Sequence, residues 1–314
     1  MQQKNSSKKS NITFLIFTFN EEKRIEYPVK NFLPYGDVLL LDNLSTDKTG
    51  EIAKKLGARV SRFRRDGKSF VERPEIVNRI YKDVKTDWIF WGMADEMVAK
   101  TCLELYKKIA SENKYKVVVQ KKKTLLFDEN SEFLPCDITI NFFRKDSIDF
   151  RNNKIHQTGR FADHVKPSEI LYLSPIDEYS VYHFSNYITE NLIRNFNIYT
   201  SEQAKNISFK NLEIRIVIEP IITFFTHYIW GGAIWRGIKG VIVSLQYTYY
   251  SFIVLTKAYE LKYNINLDTQ ERKYVRGKRA LLKKSPKTNL LKKIVARLWI
   301  SILSRIHKYY KFRR

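Results

Sequence analysis

The sequence predicts an α/β fold with a mostly parallel central sheet, followed by a helical C-terminal region. Three observations carry this. Short apolar runs rich in β-branched and aromatic residues alternate with helix-patterned segments over the first hundred residues. Those runs end in polar or acidic residues, as strands do where an open α/β sheet meets a ligand. Beyond Tyr187 the texture changes to long helical and aromatic stretches broken by Gly231-Gly232, Gly237 and Gly240.

The elements follow in order. Ile12 to Phe19 has the composition of a buried parallel strand. Asn20-Glu21-Glu22 can open the next helix, because acids suit a helix N-terminus. Asp37 to Asp42 is the second strand. "STDKTGEIAKKLG" then supplies a capping hydroxyl, apolar Ile52, Ala53 and Leu56, and Gly57 as a stop. Ala58 to Phe63 is predicted as a third strand, Pro74 to Val84 as a helix and Trp88 to Met93 as a fourth strand. This βαβαβαβ order belongs to a parallel sheet with right-handed crossovers. A helix over Thr101 to Ser111 leads into "YKVVVQKKKTLLF" and "ITINFFRKD", whose mixed alternation predicts antiparallel additions.

Composition narrows the class. A hydrophobic content of 44% with 14% aromatics describes a folded chain rather than a disordered one. The 56 Lys and Arg outnumber the 33 Asp and Glu, but the excess is local. Arg272 to Arg314 holds 16 basic residues and no acid, leaving 40 basic against 33 acidic elsewhere. Two cysteines, Cys102 and Cys136, exclude a disulfide framework and stand as packing residues of a reducing compartment. The polar start "MQQKNSSKKSN" lacks the apolar core of a secretory signal, so a cytoplasmic body is expected.

No phosphate-cradling glycine loop is present. What remains is a series of side chains after strands: Thr18, Asn20 and Glu21, then Asp42, Ser45 and Asp47, then Asp95 and Glu96. An acid there can accept hydrogen bonds from a base or ribose, and paired acids can hold a divalent cation that bridges a diphosphate. Ser45, Thr46 and Asp47 also read, one at a time, as helix caps and turn acids.

"TFNEE", "LLLDNLSTDKTGEIAKKLGARV" and "DWIFWGMADE" resemble the family 2 glycosyltransferases of the GT-A fold. "FFRKD", "IHQTGR", "VYHFSNYITENLIRNFNIYTSEQA" and "GGAIWRGIKGVIVSLQYTYYSFIVLTKAYEL" extend the resemblance to the lipopolysaccharide core β-1,4-glucosyltransferase-like branch, over roughly Ile12 to Tyr263. The resemblance implies an inverting enzyme that moves a sugar from a nucleotide-diphosphate sugar, with Mg²⁺ or Mn²⁺, to a glycan or glycolipid acceptor. Thr18, Asn20, Glu21 and Asn78 would line the nucleotide pocket, Asp42 would take the base, and Asp95 would reach metal and diphosphate. Two positions depart from the pattern. Met93 replaces the first acid of the Asp-x-Asp motif, and a thioether is a poor partner for a hard cation. Gln157 follows His156 where the branch has the Glu of a catalytic base, so His156, Asp163 or His164 would have to serve.

The last helix spaces Leu290, Leu291, Ile294, Val295, Leu298, Ile302, Ile306 and Tyr310 three to four apart, with Lys292, Lys293, Arg297, Arg305 and Lys308 on other faces. That pattern predicts a helix lying on an anionic membrane, with peripheral association at the inner face of the cell membrane. Nucleic acid is the alternative for such a basic tail, though no nucleic-acid module accompanies it. Leu212 to Tyr259 offers no unbroken apolar window of about 20 residues and reads as an interfacial layer, a buried appendage or a span. The expected organisation is a polar tail over 1–11, a GT-A domain over 12–187, a membrane-proximal helical region over 188–265 and a basic amphipathic tail over 266–314. A glycosyltransferase-like binding protein without turnover is the competing reading.

Overall fold

The computed structural model describes residues 11–62, 72–126, 132–133, 137–151, 153, 159–185, 189–284, 287 and 289–311. The chain divides into two compact units, Met1–Tyr259 and Glu260–Arg314. Of the helical region expected over 188–265, residues 189–259 fall in the same unit as the sheet.

The first unit opens with β1 (Ile12–Thr18), α1 (Glu26–Phe32), β2 (Asp37–Asp42), α2 (Thr49–Leu56), β3 (Arg59–Arg62), α3 (Pro74–Asp83) and β4 (Trp88–Met93). It continues through β5 (Glu96–Val98), α4 (Lys100–Glu112), β6 (Val117–Leu126), β7 (Glu132–Phe133), β8 (Ile138–Arg144), β9 (Ile148–Asp149) and β10 (Arg160–Phe161). Then come β11 (Ile170–Tyr172), β12 (Val181–Ser185), α5 (Thr189–Ala204), α6 (Leu212–Phe225) and α7 (Gly237–Lys262). The sheet runs β3-β2-β1-β4-β8-β6-β12-β5, with β7 and β11 also paired to β6. Strands β1 to β4 are mutually parallel, and β8 enters antiparallel to β4. The α/β sheet with a parallel half and antiparallel additions is as the sequence predicts.

Strand alternation explains the two cores. Ile12, Phe14 and Ile16 of β1 pack on one side with α1, α2 and α4, where Phe14 and Phe32 stack at 4.7 Å. Leu15 and Phe17 face the other side, against Ile76, Val77 and Ile80 of α3. Both faces of the parallel half are covered, which fixes its register and leaves the strand ends as the polar surface.

Two elements differ from the sequence reading. The first helix starts at Glu26, after turns over Glu21 to Ile25. Glu96 does not end a loop but begins β5, which pairs antiparallel with β12. The second unit holds α8 (Leu267–Lys283) and α9 (Leu290–Lys311), where the final helix was expected.

Candidate active site at the carboxyl ends of the parallel strands

The loops after β1 and β2 are laced together by side-chain bonds to backbone. Asn20 N–H donates to Ser45 Oγ at 2.9 Å, and Asn20 Oδ1 accepts from Thr46 N–H at 2.9 Å. Glu21 N–H donates to Thr49 Oγ1 at 2.7 Å, and Glu22 N–H to Asp47 Oδ2 at 3.1 Å. Asn20 adopts a left-handed backbone (φ 56°), which an Asn tolerates better than most residues. Ser45, Thr46 and Asp47 therefore build the loop, the structural role open to them from the sequence.

Beneath this lacing sit two buried polar atoms without a hydrogen-bond partner among the described residues. Thr18 and Asp42 are register partners on adjacent parallel strands, and both are buried. Asp42 Oδ1 accepts from Ser45 N–H at 2.9 Å. Asp42 Oδ2 and Thr18 Oγ1 accept from no described donor. The nearest cation, Arg62 Nε, stands 3.5 Å from Asp42 Oδ2, and Arg62 itself is exposed. Gly50 keeps space open: a Cβ there would lie 3.5 Å from the same oxygen. Leaving a buried acceptor unmade costs about 1–3 kcal/mol.

Asp95 follows β4 at the same end, where Ala94 N–H donates to Phe17 O at 3.2 Å. Its Oδ2 lies 3.4 Å from His183 Nε2 on β12, while His183 Nδ1 is 3.3 Å from Thr124 Oγ1 on β6. Burial pushes the Asp95 carboxyl up, but the His183 hydrogen bond and the charges of His183, Arg24 and Lys122 outweigh it and hold the carboxyl below its usual value. Glu21 reaches this site through Arg24: Glu21 Oε1 accepts from Arg24 Nη2 at 2.8 Å.

Glu96 does not pair with Asp95 to present two acids. Asp95 lies in the turn after β4, whereas Glu96 opens β5 and points inward. It is 1% exposed, and its Oε1 takes Lys122 Nζ at 2.6 Å. Its Oε2 accepts Met93 N–H at 3.1 Å and lies 3.4 Å from Asn141 Nδ2. Glu96 is a clamp on the turn that carries Asp95. Met93 packs against the apolar layer that includes Phe17 and Trp91.

The expected residues do not all converge. Asn78 is exposed on α3. Asp163 and His164 stand at the opposite end of the sheet. The antiparallel β8 carries the chain back to Arg144, the register partner of Trp88 at the entry end of β4. Ala162 N–H then donates to Ser147 O at 2.9 Å, and His164 Nε2 lies 3.6 Å from Asp146 Oδ2. Strand β4 has 6 residues, so a strand's length of roughly 20 Å separates these groups from Asp95. His156 and Gln157 lie outside the described residues. Between them and β10, Gly159 has φ +83°, and a Cβ there would meet Ile148 Cγ2 at 2.4 Å. That close approach explains the glycine in "IHQTGR".

Three residues at the site carry no role in the sequence reading: His183, Lys122 and Asp137. Asp137 precedes β8; its carbonyl accepts Lys122 N–H at 2.9 Å, and burial pushes its carboxyl up against the opposing pull of Lys122 and His183. A lone histidine in the short strand "VYHFS" was the available signal, but only the sheet order places β12 beside β5 and β6.

The chain is 29% identical over 271 residues to an uncharacterized glycosyltransferase of Rickettsia bellii, spanning 82% of this chain and 90% of that one. It is 26% identical to a second uncharacterized glycosyltransferase, of Rickettsia conorii, over 82% of this chain and 92% of that one. The similarity supports a glycosyltransferase. A shorter match, 32% identity over 80 residues, links 24% of this chain to 58% of protein RfbJ of Shigella flexneri. No family model matches. Among solved structures, S. aureus TarS 1-349 in complex with UDP gives a TM-score of 0.39 at 13% identity, over 82% of this chain and 92% of that one. M. tuberculosis glucosyl-3-phosphoglycerate synthase in complex with UDP gives 0.29 at 22% identity, over 36% and 44%. Likeness at that level carries no argument.

Proposed function

We propose that this glycosyltransferase is a family 2, inverting enzyme that uses a nucleotide-diphosphate sugar and acts on a lipid-linked or cell-surface glycan, as in lipopolysaccharide or polysaccharide synthesis. The observation that carries the donor site is the pair of buried, unpartnered atoms Asp42 Oδ2 and Thr18 Oγ1 at adjacent strand ends. A nucleobase offers N–H donors to such acceptors, and Asp42 is the acid in reach.

A divalent cation fits the residues present. Asp95 Oδ2 and His183 Nε2, 3.4 Å apart, form an oxygen and nitrogen pair. No cluster of three or more His, Cys, Asp or Glu occurs among the described residues, so donor phosphate oxygens and water would complete the shell. When bound, such a cation neutralises charge on the leaving diphosphate. Lys122 and Arg24 add fixed positive charge next to Asp95. Asp137, at the start of β8 next to Lys122 and His183, is the carboxyl assigned to accept the proton of the acceptor hydroxyl. The basic tail supports peripheral contact with an anionic membrane from the cytoplasmic side: α9 exposes Leu291, Leu298 and Trp299 between lysines and arginines.

A ligand that binds only the folded state raises its melting temperature. A panel of nucleotide-sugars screened by thermal shift, with and without Mn²⁺, should therefore single out a donor; a flat response across the panel overturns the reading. Met93, in place of the first acid, favours a second reading, binding without turnover. Donor hydrolysis by the purified chain excludes it.

A further inference from the structure

We infer that the α6–α7 hairpin of the first unit is embedded in the hydrocarbon layer of a lipid bilayer, as an anchor separate from the basic tail. The two helices run antiparallel. Leu212 and Ile216 at the start of α6 pack with Leu255, Ala258 and Tyr259 late in α7. At the far end, Tyr228 packs with Val243 and Tyr247, and the His227 and Tyr247 rings stack at 4.3 Å. Gly240 lets the connecting turn fold back onto the start of α7: a Cβ there would sit 1.8 Å from Ala233 O.

Each helix turns an apolar stripe away from that contact. On α6, Ile214, Ile218, Ile221 and Phe225 are each 46–60% exposed and fall on one face by helical spacing. On α7, Ile238, Ile242, Leu245 and Tyr249 are 39–72% exposed and share one face, opposite the buried Val243, Val254 and Ala258. Because the inner faces meet, the stripes point in different directions. A protein partner or a second copy seated on one would leave the other in water, whereas a bilayer covers both.

Charge and aromatic placement agree with lipid. From Pro220 to Trp235 the sequence has no Asp, Glu, Lys or Arg, in a chain of net charge +23. At the turn between the helices, Trp230 and Trp235 are 76% and 88% exposed, with Arg236 and Lys239 following. Tryptophan beside cations is the arrangement of a membrane–water boundary. The stretch Ala233–Lys262 has the length and apolarity to enter a membrane, with only 28% of its apolar window buried. Lys257 Nζ ties this helix to α5 through Asn197 O, Thr200 Oγ1 and Ser201 Oγ, each at 2.8 Å. The hairpin is therefore fixed to the unit that carries the sheet, and the anchor would set the position of the catalytic end relative to lipid.

The test uses the full chain and vesicles of pure phosphatidylcholine in about 0.5 M salt, where electrostatic attraction of the tail is screened. Wild type should co-float with the vesicles. Ile221→Asp should lower partitioning at least about 10-fold, since a charge in hydrocarbon is strongly disfavoured. Leu298→Asp, in the tail, should leave it within about 2-fold. Both positions are exposed, so melting temperatures should match wild type and report intact folding. Brominated acyl chains should quench wild-type fluorescence, and the Trp230→Phe, Trp235→Phe double variant should lose most of that quenching. The inference is overturned if wild type stays in solution, if Ile221→Asp floats like wild type, or if lipid-free protein is a dimer that Ile221→Asp dissociates.

Discussion

Replacing Glu96 by alanine separates a clamp from a cation ligand, because the two roles predict different losses. The substitution removes the acceptor for Lys122 Nζ (2.6 Å) and for Met93 N–H (3.1 Å). Breaking a buried ion pair costs about 3–5 kcal/mol. Lys122 keeps 24% of its side chain exposed, so its ammonium recovers part of its hydration and about 2–3 kcal/mol is a better figure. The orphaned Met93 N–H adds about 1–3 kcal/mol. The combined loss, about 3–6 kcal/mol, corresponds to roughly 10 °C or more in melting temperature for a unit of this size. Glu96→Gln keeps an acceptor for Met93 and should lose less. Glu96 also raises the Lys122 ammonium above its ordinary value against the cost of burial. That stabilisation is present below the unfolded lysine pKa and disappears as pH rises through the higher folded value, so the gap between wild type and Glu96→Ala should close at strongly alkaline pH. Thermal unfolding across pH measures this. An alanine variant within about 1 °C of wild type that has lost its Mn²⁺ response would refute the clamp and make Glu96 a metal ligand.

Asp42→Ala should abolish the thermal shift produced by nucleotide-sugar and should also lower the apo melting temperature somewhat, because Ser45 N–H loses its acceptor and Arg62 its carboxylate; unchanged titration of nucleotide would contradict the assignment. Asp95→Ala and His183→Ala should each remove the Mn²⁺ dependence of nucleotide binding, read by calorimetry, and a variant that still responds to Mn²⁺ excludes that residue as a ligand. Asp137→Asn should cut turnover by at least about 100-fold at unchanged nucleotide affinity. Since burial raises the Asp137 pKa, folding favours its protonated form, and stability from this group falls as pH climbs through the unfolded and then the folded value. The asparagine should thus be neutral or stabilising at pH 7, and a marked drop in melting temperature would show a structural role instead.

The parallel half of the fold was legible because its signal is local. An apolar run of strand length, a capped helix and a Gly stop are each written within a few residues, as in Asp37–Asp42 followed by Thr49–Leu56 and Gly57. Asp42 was legible for the same reason: it ends its strand. Glu96 was not, because its burial depends on β5 pairing with β12, a partner 87 positions away in the Glu96–His183 register. His183 is the converse, a residue invisible until that pairing sets it beside Asp95. Asp163 and His164 were misplaced by proximity in sequence to "IHQ". The antiparallel β8 has already brought the chain to the entry end of β4 at Arg144, and β9 and β10 form a small separate sheet beyond it.

The charges at the catalytic end fall into an order that accounts for the tolerance of Met93. Each cation near Asp95 has its own acid: Lys122 has Glu96, and Arg24 has Glu21. These pairs are held in place before any donor arrives, so their positive ends need little rearrangement to meet a diphosphate. Asp95 is then the one acid of the turn with a partly exposed carboxyl, and its lowered pKa keeps it ionised at neutral pH. A second carboxylate at position 93 would add repulsion to that acid and would have to leave the apolar layer where the thioether packs. With His183 in place of a second anion beside Asp95, the site carries less negative charge without a donor and more net attraction for one. The departure from the acid motif is thereby consistent with a working site, provided that Lys122 and His183 are both in place.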